Sequence, residues 1–593
     1  MRKITRLKLA IVLALMGTGS VFAQNPYKFL KVDYVGAMGQ SDWTQGWTNW
    51  NPEQTDYPSV TETVALNAAA VTSGVITLTT DVVLDKSKVY LLTGLVYVKS
   101  GVTLTIPAGT VIRCEGNPSA TPANWASIIV QRGGKIISVG TKDAPVVFTS
   151  NKAKGSRNRG DWGGIILLGK GTNNQPGGQT GCTQCAKGES IIDGPFGFPD
   201  GVHGGSNDAD NSGSIVYTRI EFPGLVFSAN NEINGLTLGS VGYSTALRYI
   251  QVSFSNDDSY EWFGGAACSK YIIAFKGTDD DFDTDYGYHG MNQFGIGMRD
   301  SIHFDLTWNA TSGGSTSEGF ESDNDATGTT NNPMTTAVFS NFTMVGPYAA
   351  GETFAQHSAT VKGAYRRGAR IRRNSGQSVV NSIFMGYRNG IMIDGVLSEA
   401  KANVASTTTE CDTLEVRNCI FLGLTYTGSL TANGLAEVAT GRDTGLVSKW
   451  LKTSNNRINP VAWAAGTLLT DPNNYTNPNF MPVAGSPALS GANFTTNCKV
   501  SNNEAGVKIQ KNVGSIKVYP NPSNGTANVE MNLLNNANLS ILVIALDGKV
   551  IRNLNDTYPA GNSVVTFDGL NQGVYIVKVS HDASFNTFKL IVK

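Results

Sequence analysis

The chain has 593 residues, with 46 basic and 46 acidic side chains, so its formal net charge is zero. A chain of this length is too long for one compact core, and we expect two or more folding units. The balanced charge gives no electrostatic support for a nucleic-acid partner or for an anionic membrane. Glycine is abundant, at 67 residues, and only 16% of the residues are charged. This composition favours a β-rich extracellular protein.

The first 23 residues have the pattern of a signal peptide. A basic start is followed by an apolar run from Leu9 to Met16, and small residues ending at Ala23 suit cleavage before Gln24. The apolar run is too short to span a bilayer. We therefore expect export, and we interpret 24–74 as a segment that caps the next domain.

Residues 75–494 are the predicted passenger domain. Short strands rich in β-branched residues alternate with Gly/Asn/Asp turns, as in "ASIIVQRGGKIISVG". No helical segments that could form βαβ crossovers separate these strands. Short strands at a repeat of roughly twenty residues indicate a β-solenoid, whose coils stack on one another. The expected fold class is all-β: a parallel β-helix followed by a small β-sandwich.

Three acidic segments of the passenger align with one another. "NDDSYEWFGG" (256–265) aligns with "TDDDFDTDYG" (278–287) at an offset of 22 residues, and "SEGFESDND" (317–325) aligns with the second segment at an offset of 38 residues. If each offset is one coil, their aromatic residues stack inside the solenoid and their acids form columns outside. The predicted acidic columns are Asp258–Asp280–Glu318 and Glu261–Asp283–Glu321.

The columns crowd like charges, because neighbouring coils lie about 4.8 Å apart. Such repulsion is relieved by partial protonation, by basic partners or by a bound cation. The sequence leaves these three open. The arginine-rich strip "AYRRGARIRRNSG" (364–376) is expected to pair with surface acids rather than to bind a polyanion.

Residues from about 30 to 500 resemble a known group of proteins. The segments "VDYVGAMGQSDWTQGWTNWNP", "WGGIILLGKG" and "DDDFDTDYGYHGMNQF" are similar to those of secreted right-handed parallel β-helix proteins of Bacteroidetes, which have the pectin lyase-like fold. "FMPVAGSPALSGANF" (480–494) resembles the stretch that closes such domains. The resemblance implies a fold and a secreted location, and it assigns no activity.

The C-terminal residues 514–593 resemble the type A sorting domain of the type IX secretion system. The matching segments are "VYPNPSNG" (518–525), "ALDGKVI" (545–551), "GLNQGVYIVKV" (569–579) and "FKLIVK" (588–593). The residues that carry the resemblance are Pro520, Asn521, Pro522, Asp547, Gly548, Lys549, Gly573, Tyr575, Lys589 and Lys593.

Read without the resemblance, 514–593 is a β-sandwich of alternating strands, and 495–513 has the composition of a linker. The resemblance implies translocation across the outer membrane by the type IX machinery and removal of the domain by its sorting peptidase. The passenger would then attach to surface lipopolysaccharide or be released.

A calcium site is one interpretation of the acidic stretch. Asp279, Asp280, Asp281, Asp283 and Asp285 supply the hard oxygen ligands that calcium prefers. The spacing is not that of an EF-hand, and a solvated acidic turn without a metal explains the same pattern. Apart from calcium, no cofactor is expected.

Polysaccharide cleavage is another interpretation. Glycosidases need two carboxyls about 5–10 Å apart, which neighbouring coils provide. The candidate catalytic residues are Asp258, Asp280 and Glu318, with Arg299 or Lys276 as the basic partner. Residues expected to contact a ligand, the aromatic ones by stacking on sugar rings, are Tyr260, Trp262, Glu261, Tyr286, Glu321 and Asp323.

No lyase motif is evident in the sequence, so we expect a binding or structural surface module, glycan-binding or adhesive, rather than an enzyme. The alternatives are a polysaccharide lyase or glycoside hydrolase and a calcium-stabilised stalk. Cys182 and Cys185 form a CxxC in a glycine-rich loop, where a small loop staple or free thiols are more probable than a zinc or redox site.

Overall fold

The computed structural model describes residues 28–63, 74–117, 119–120, 124–178, 182–228, 231–299, 301–304, 317–353, 356, 365–403, 414–424, 436–438, 444–495, 499–500, 513–533, 537–545, 549–559, 561–581 and 584–593. The predicted signal peptide and most of the predicted linker lie outside these ranges.

The passenger is a parallel β-helix, as predicted. Its coils contribute to two parallel sheets, here called sheet A and sheet B. In the described part of the chain, sheet B contains the strands Val75–Leu78, Leu95–Val98, Ser127–Val130, Ile165–Leu168, Leu236–Gly239, Tyr260–Phe263, Phe282–Asp285, Phe320–Ser322, Arg367–Ile371, Asn389–Ile393 and Ala436–Val438.

Sheet A forms a second face of the coils. Each of its longer strands contains one non-glycine residue with a positive φ angle, such as Tyr249, where the strand changes direction. Its strands are Glu62–Thr63, Val82–Val83, Val89–Leu92, Thr103–Ile106, Val111–Cys114, Lys135–Val139, Val146–Ser150, Gly213–Glu221, Ala246–Ser253, Ser269–Phe275, Met291–Met298, Val338–Val345, Ser378–Val380, Ile383–Met385, Val416–Arg417, Ile420–Leu422 and Arg457–Ile458.

The strand register places equivalent side chains of sheet B above one another. Tyr260 pairs with Phe282, and Phe282 pairs with Phe320. Their rings stack in the core, with centroid separations of 5.4 Å at each step. Because side chains alternate between the two faces of a strand, the residues between them point outwards. The predicted aromatic ladder and the offsets of 22 and 38 residues are thus confirmed.

Smaller elements decorate the coils. In the described part of the passenger, antiparallel hairpins join Glu189–Ile191 to Val202–Gly204, Val226–Ser228 to Asn231–Glu232, and Leu469–Asp471 to Asn479–Pro482. Among the described residues, the α-helices are Val396–Asn403 and Thr444–Thr453, and the 3-10 helices are Pro52–Gln54 and Pro487–Leu489.

Residues 28–61, which we call the strap, were predicted to cap the solenoid, but they run along its side. The Val35 N–H donates to Ala488 O (2.8 Å), near the end of the passenger. At the other end of the strap, Arg157 donates to Pro52 O (2.6 Å) and Thr55 O (2.8 Å). The segment lies lengthwise because side chains of several coils hydrogen-bond to its backbone.

The C-terminal domain consists of two antiparallel sheets that share one apolar core. One sheet contains Val513–Tyr519, Ala527–Leu533 and Gly561–Phe567, and the other contains Val550–Tyr558, Ala537–Ala545, Gly573–His581 and Ser584–Val592. Residues of both sheets, such as Met531 and Val577, are fully buried together. The predicted β-sandwich is therefore present.

The Pro-Asn-Pro turn of this domain is tied to the last strand. Asn521 Nδ2 donates to Lys589 O (2.5 Å), and Asn521 Oδ1 accepts from the Ile591 N–H (2.9 Å). Pro520 and Pro522 flank this asparagine, so the turn is held against the strand that ends the chain. Tyr575 lies two residues after Gly573 in the same strand, and its hydroxyl donates to Asn571 O (2.8 Å).

Two lysines of the sorting signal form backbone hydrogen bonds within the domain. Lys549 O accepts from the Ala545 N–H (2.9 Å), and the Lys593 N–H donates to Ser523 O (2.9 Å). Asp547 and Gly548 lie outside the described residues. Within the described part of the chain, no helix is both long and apolar enough to cross a membrane.

Candidate functional site on the acidic face

The first predicted column, Asp258–Asp280–Glu318, is here called the inner column. It is part of the backbone hydrogen-bond network. The Asp280 N–H donates to Asp258 Oδ1 (2.7 Å), and the Glu318 N–H donates to Asp280 Oδ1. The Arg367 N–H donates to Glu318 Oε2 (3.0 Å). Each carboxylate therefore accepts a hydrogen bond from the backbone of the next coil, at or just before the start of the sheet B strand.

Glu318 also pairs with a charged side chain inside the molecule. Its carboxylate contacts the Arg367 guanidinium, and neither side chain is more than 4% exposed. Asp258 and Asp280 are also buried, at 7% and 4% exposure. The three predicted catalytic acids are brought into register as expected, but their carboxylates have structural partners and little accessible surface.

Arg299, the predicted catalytic base, does not lie on the acidic face. It is fully buried, and its Nε is 3.3 Å from Asp281 Oδ2. Its guanidinium lies 5.3 Å from the centre of the Tyr365 ring. Asp281 is fully buried as well, so this pair belongs to the interior. The alternative base, Lys276, packs against the Phe275 ring at 5.0 Å.

The second predicted column, Glu261–Asp283–Glu321, is here called the outer column. It lies on the solvent face of sheet B. Glu261 pairs in register with Asp283, and Asp283 pairs with Glu321. These acids sit one position after the core aromatic residues, so strand alternation turns them outwards. Glu261 and Asp283 are half-buried, and the Glu321 side chain is 11% exposed.

The electrostatic environment of the outer column disfavours full ionisation. Burial, reinforced by the Asp323 carboxylate, raises the pKa of Asp283 to about 7. Burial raises the pKa of Glu321 to about 8, although the Arg372 guanidinium opposes this. Burial and the neighbouring Asp283 carboxylate raise the pKa of Glu261 well above its usual range.

Among the described residues, the basic partners of the outer acids lie around Glu321 and Asp323, which we call the lower end of the face. Arg372 contacts the Glu321 carboxylate and lies 2.8 Å from Asp323 Oδ1. Arg373 lies 2.8 Å from Asp323 Oδ2. The arginine-rich strip thus pairs with acids, as predicted.

The other end of the face, at Glu261, Asp283 and Asp285, is here called the upper end, and it differs in its charge partners. Among the described residues, Glu261, Asp283 and Asp285 have no lysine or arginine within ion-pair distance. Asn234 Nδ2 donates to Glu261 Oε2. The Asn234 contact was not predicted, because the sequence before it carries no acidic repeat that could align it with this face.

Among the described residues, carboxylate oxygens of the two columns and of the adjacent Asp257 and Asp279 converge in three groups. In each group one oxygen per residue lies within 4.8 Å of the others. The groups are Asp257–Asp258–Asp279, Asp258–Glu261–Asp283 and Asp280–Asp283–Glu321. A hard divalent cation such as calcium fits this donor set, because it binds carboxylate oxygens and compensates their charge. Of the predicted metal ligands, Asp279, Asp280 and Asp283 belong to these groups, whereas Asp281 points into the core.

Asp285 lies on the same outer face, one alternation further along its strand. The burial of its carboxyl, followed by the Asp323 carboxylate, raises the pKa of Asp285 well above its usual range. It belongs to none of the three groups found among the described residues.

The predicted ligand-binding residues divide between the core and the surface. Tyr260 is 1% exposed and Trp262 is fully buried, so neither ring can stack on a sugar. Tyr260 instead donates to Ile250 O (2.9 Å) inside the solenoid. Strand alternation in "YEWF" predicts this difference between core and surface. Glu261 points outwards because it lies between two residues whose rings point inwards. Tyr286 is half-buried beside the acids, 5.2 Å from the Phe263 ring.

A loop covers the part of the face above the acids. It includes the hairpin Glu189–Ile191 and Val202–Gly204, and its residues Ile192 and Phe196 pack on the apolar outer side chains of sheet B. Cys182 and Cys185 form a disulfide at its base. The CxxC is therefore a loop staple, as favoured from the sequence.

These features define a class of protein: a parallel β-helix with an acid-lined outer face, followed by a small C-terminal β-sandwich. Residues 74–466 match the pectate-lyase-like β-helix domain family, and the chain belongs to that family. Residues 517–593 match the secretion system C-terminal sorting domain. This domain indicates interaction with the type IX machinery and a cell-surface or extracellular location.

The search of curated proteins finds no match. Solved structures similar in fold include two enzymatically active tailspike domains of bacteriophage CBA120. The tailspike protein 4 domain is 12% identical to this chain. The match covers 83% of this chain and 64% of the tailspike chain, and its TM-score is 0.24. The tailspike protein 2 domain is 10% identical. This match covers 85% of this chain and 70% of the tailspike chain, and its TM-score is 0.19.

Proposed function

We propose that the passenger is a surface-displayed glycan-binding module whose ligand is held on the acidic face with the help of calcium. The observation that carries this proposal is the convergence of carboxylate oxygens from adjacent coils into groups within 4.8 Å. A backbone hydrogen bond occupies one oxygen each of Asp258 and Asp280, and arginines neutralise the lower end of the face. A cation is the remaining means of neutralising the upper end without protonation.

Calcium gives such a face a way to bind carbohydrate. An ion held by protein carboxylates keeps coordination positions for ligand hydroxyls or carboxylates, because calcium takes six to eight oxygens. The half-buried Tyr286 ring beside the acids supports the same proposal, since aromatic rings pack on the apolar faces of sugars.

A second candidate function is cleavage of an acidic polysaccharide. The observation that favours it is the raised pKa of Asp283, about 7, next to that of Glu321, about 8. A carboxyl that keeps its proton near neutral pH can act as a general acid, and a second carboxyl on the adjacent coil can assist as base or nucleophile. In this version the catalytic pair lies in the outer column, not in the inner one.

The test uses the full-length protein on a polysaccharide panel, in calcium and in EDTA. We expect calcium-dependent binding to acidic glycans, reduced at least tenfold in the double variant Asp283→Asn/Glu321→Gln. Asp200→Asn is the matched control, because Asp200 lies above the acidic groups and pairs with Lys99. Binding that persists in EDTA, or that the double variant leaves unchanged, would contradict the proposal.

The same incubations separate the two candidate functions. A binding module leaves the polysaccharide intact. Release of reducing ends or of 4,5-unsaturated uronates, abolished in Asp283→Asn while the protein stays folded, would instead establish the enzyme.

A further inference from the structure

A cavity of about 150 Å³ lies against the outer surface of sheet A. Its floor contains Met385 and Leu422, which pair with each other in adjacent strands. Strand alternation turns these two residues outwards, because the neighbouring Phe384 and Phe421 point into the core of the solenoid. The cavity is therefore separate from the acidic face, which belongs to sheet B.

Two segments of the chain form the walls above this floor. Ala349 and Ala350 line one wall, and residues of 463–473 line the rest. The Trp463 ring lies on Gly423, where an added Cβ atom would be 2.3 Å from Trp463 Cδ2. A cavity of about 150 Å³ in a protein core holds a benzene molecule, so this one has room for a single six-membered ring.

The polar side chains of the lining have unused hydrogen-bonding capacity. Trp463 Nε1 and Asn473 Nδ2 are shielded from solvent, and in the part of the chain that the structure describes neither has a hydrogen-bond partner. Asp471 is exposed at the rim, where its Oδ2 accepts from Asn474 Nδ2 (3.0 Å). Because an N–H group left unpaired away from water is unfavourable, a ligand that supplies an acceptor is favoured here.

The charge of the lining limits the ligand further. Among the described residues that line the cavity there is no lysine or arginine, and Asp471 supplies a carboxylate. A uronate or a phosphate would bring a second negative charge next to this carboxylate, and like charges at short range repel. The ligand expected here is therefore neutral, unlike the acidic glycan expected on the acidic face.

We propose that this cavity binds one N-acetylated hexosamine residue of a neutral glycan, independently of calcium. Apolar pockets with a few placed polar groups are typical of ligand sites, and the acetamido group matches this one. Its methyl group fits the apolar floor of Met385 and Leu422. Its carbonyl oxygen accepts from the N–H of Trp463 or Asn473, and its own N–H donates to Asp471. Both donor residues are only half-buried, so a small turn of either side chain brings its N–H to the ligand.

The experiment measures saturation-transfer NMR of methyl glycosides on the full-length protein in EDTA. We expect the methyl glycoside of N-acetylglucosamine to bind, with the strongest saturation on its acetyl methyl protons. Methyl glucoside should bind at least tenfold more weakly, and methyl glucuronide should give no signal. The double variant Asp283→Asn/Glu321→Gln should leave this binding unchanged, so the result is independent of what happens on the acidic face.

Variants of the lining test whether the signal comes from the cavity. Ala350→Leu should weaken binding at least tenfold because it fills the cavity, and Trp463→Phe should weaken it at least fivefold because it keeps a ring but removes the N–H. Asn477→Ala is the control, because Asn477 is exposed and lies outside the lining. Thermal unfolding checks that each variant is folded.

Three results would overturn the proposal. The first is that the N-acetylglucosamine glycoside does not bind. The second is that methyl glucoside binds equally well, which would remove the role of the acetamido group. The third is that folded Ala350→Leu binds as the wild type does, which would place the sugar elsewhere on the protein.

Discussion

The two acidic columns differ in what satisfies them, although both arise from the same sequence repeat. Asp258, Asp280 and Glu318 accept hydrogen bonds from the backbone of the next coil. In the outer column, Glu261, Asp283 and Glu321 lie side by side in the sheet register, and within the described part of the chain none accepts a hydrogen bond from the backbone of the next coil. Asp283 accepts only from the Thr284 N–H of its own strand there. Acids in register are therefore not by themselves a functional site, and the partners of each carboxylate decide its role.

The largest difference between the columns should appear at their lower ends. Glu318→Ala should lower the free energy of unfolding by about 3–5 kcal/mol, because it leaves the buried Arg367 guanidinium without its carboxylate. Glu321→Ala should cost about 1 kcal/mol or less, since its partner Arg372 keeps Asp323. Urea unfolding of both variants at neutral pH measures this. Equal losses would remove the distinction between the columns.

A smaller effect should show that the inner column acts as a hydrogen-bond acceptor. Asp280→Ala should lower the free energy of unfolding by about 1–3 kcal/mol, because the buried Glu318 N–H loses its acceptor. Asp280→Asn should cost less than about 1 kcal/mol, because an amide oxygen accepts the same bond. If Asn and Ala at this position are equally destabilising, the carboxylate charge rather than the hydrogen bond stabilises the coil.

The smallest of these effects concerns pH. In EDTA, stability should fall by on the order of 1–2 kcal/mol as pH rises from about 4 to about 8. The folded-state pKa values of Asp283 and Glu321 are raised, so the folded protein binds more protons than the unfolded chain in this window. Thermal unfolding of Asp283→Asn should show a weaker dependence. A stability that rises over this range in EDTA would contradict the assigned direction.

The repeat made much of this architecture predictable. Aromatic residues and acids recur at fixed offsets, and a solenoid converts such offsets into vertical neighbours. Strand alternation could also have separated Tyr260 and Trp262, which point inwards, from Glu261, which points outwards. Sorting-domain motifs are local in sequence, so the strands that carry them were identifiable.

Other features depend on contacts between residues far apart in the sequence. The strap has no repeat that would reveal its path, and several of its hydrogen bonds join residues more than 200 positions apart, as between Asn49 and Gln251. Whether an acid before a strand turns towards the backbone or towards solvent is likewise set by the neighbouring coil. For that reason Arg299 and Asp281 were predicted on the acidic face although they form an interior pair.

Calcium titration calorimetry of the full-length protein tests the central claim most directly, with Asp283→Asn and Glu318→Gln as the two compared variants. Glu318 belongs to none of the three carboxylate groups identified among the described residues. We expect Asp283→Asn to weaken the calcium signal at least tenfold while retaining wild-type stability, because Asp283 belongs to two of the three groups, and Glu318→Gln to keep the signal while losing stability. A calcium signal that Asp283→Asn leaves unchanged, or no calcium signal in the wild type, would contradict the different roles of Glu318 and Asp283.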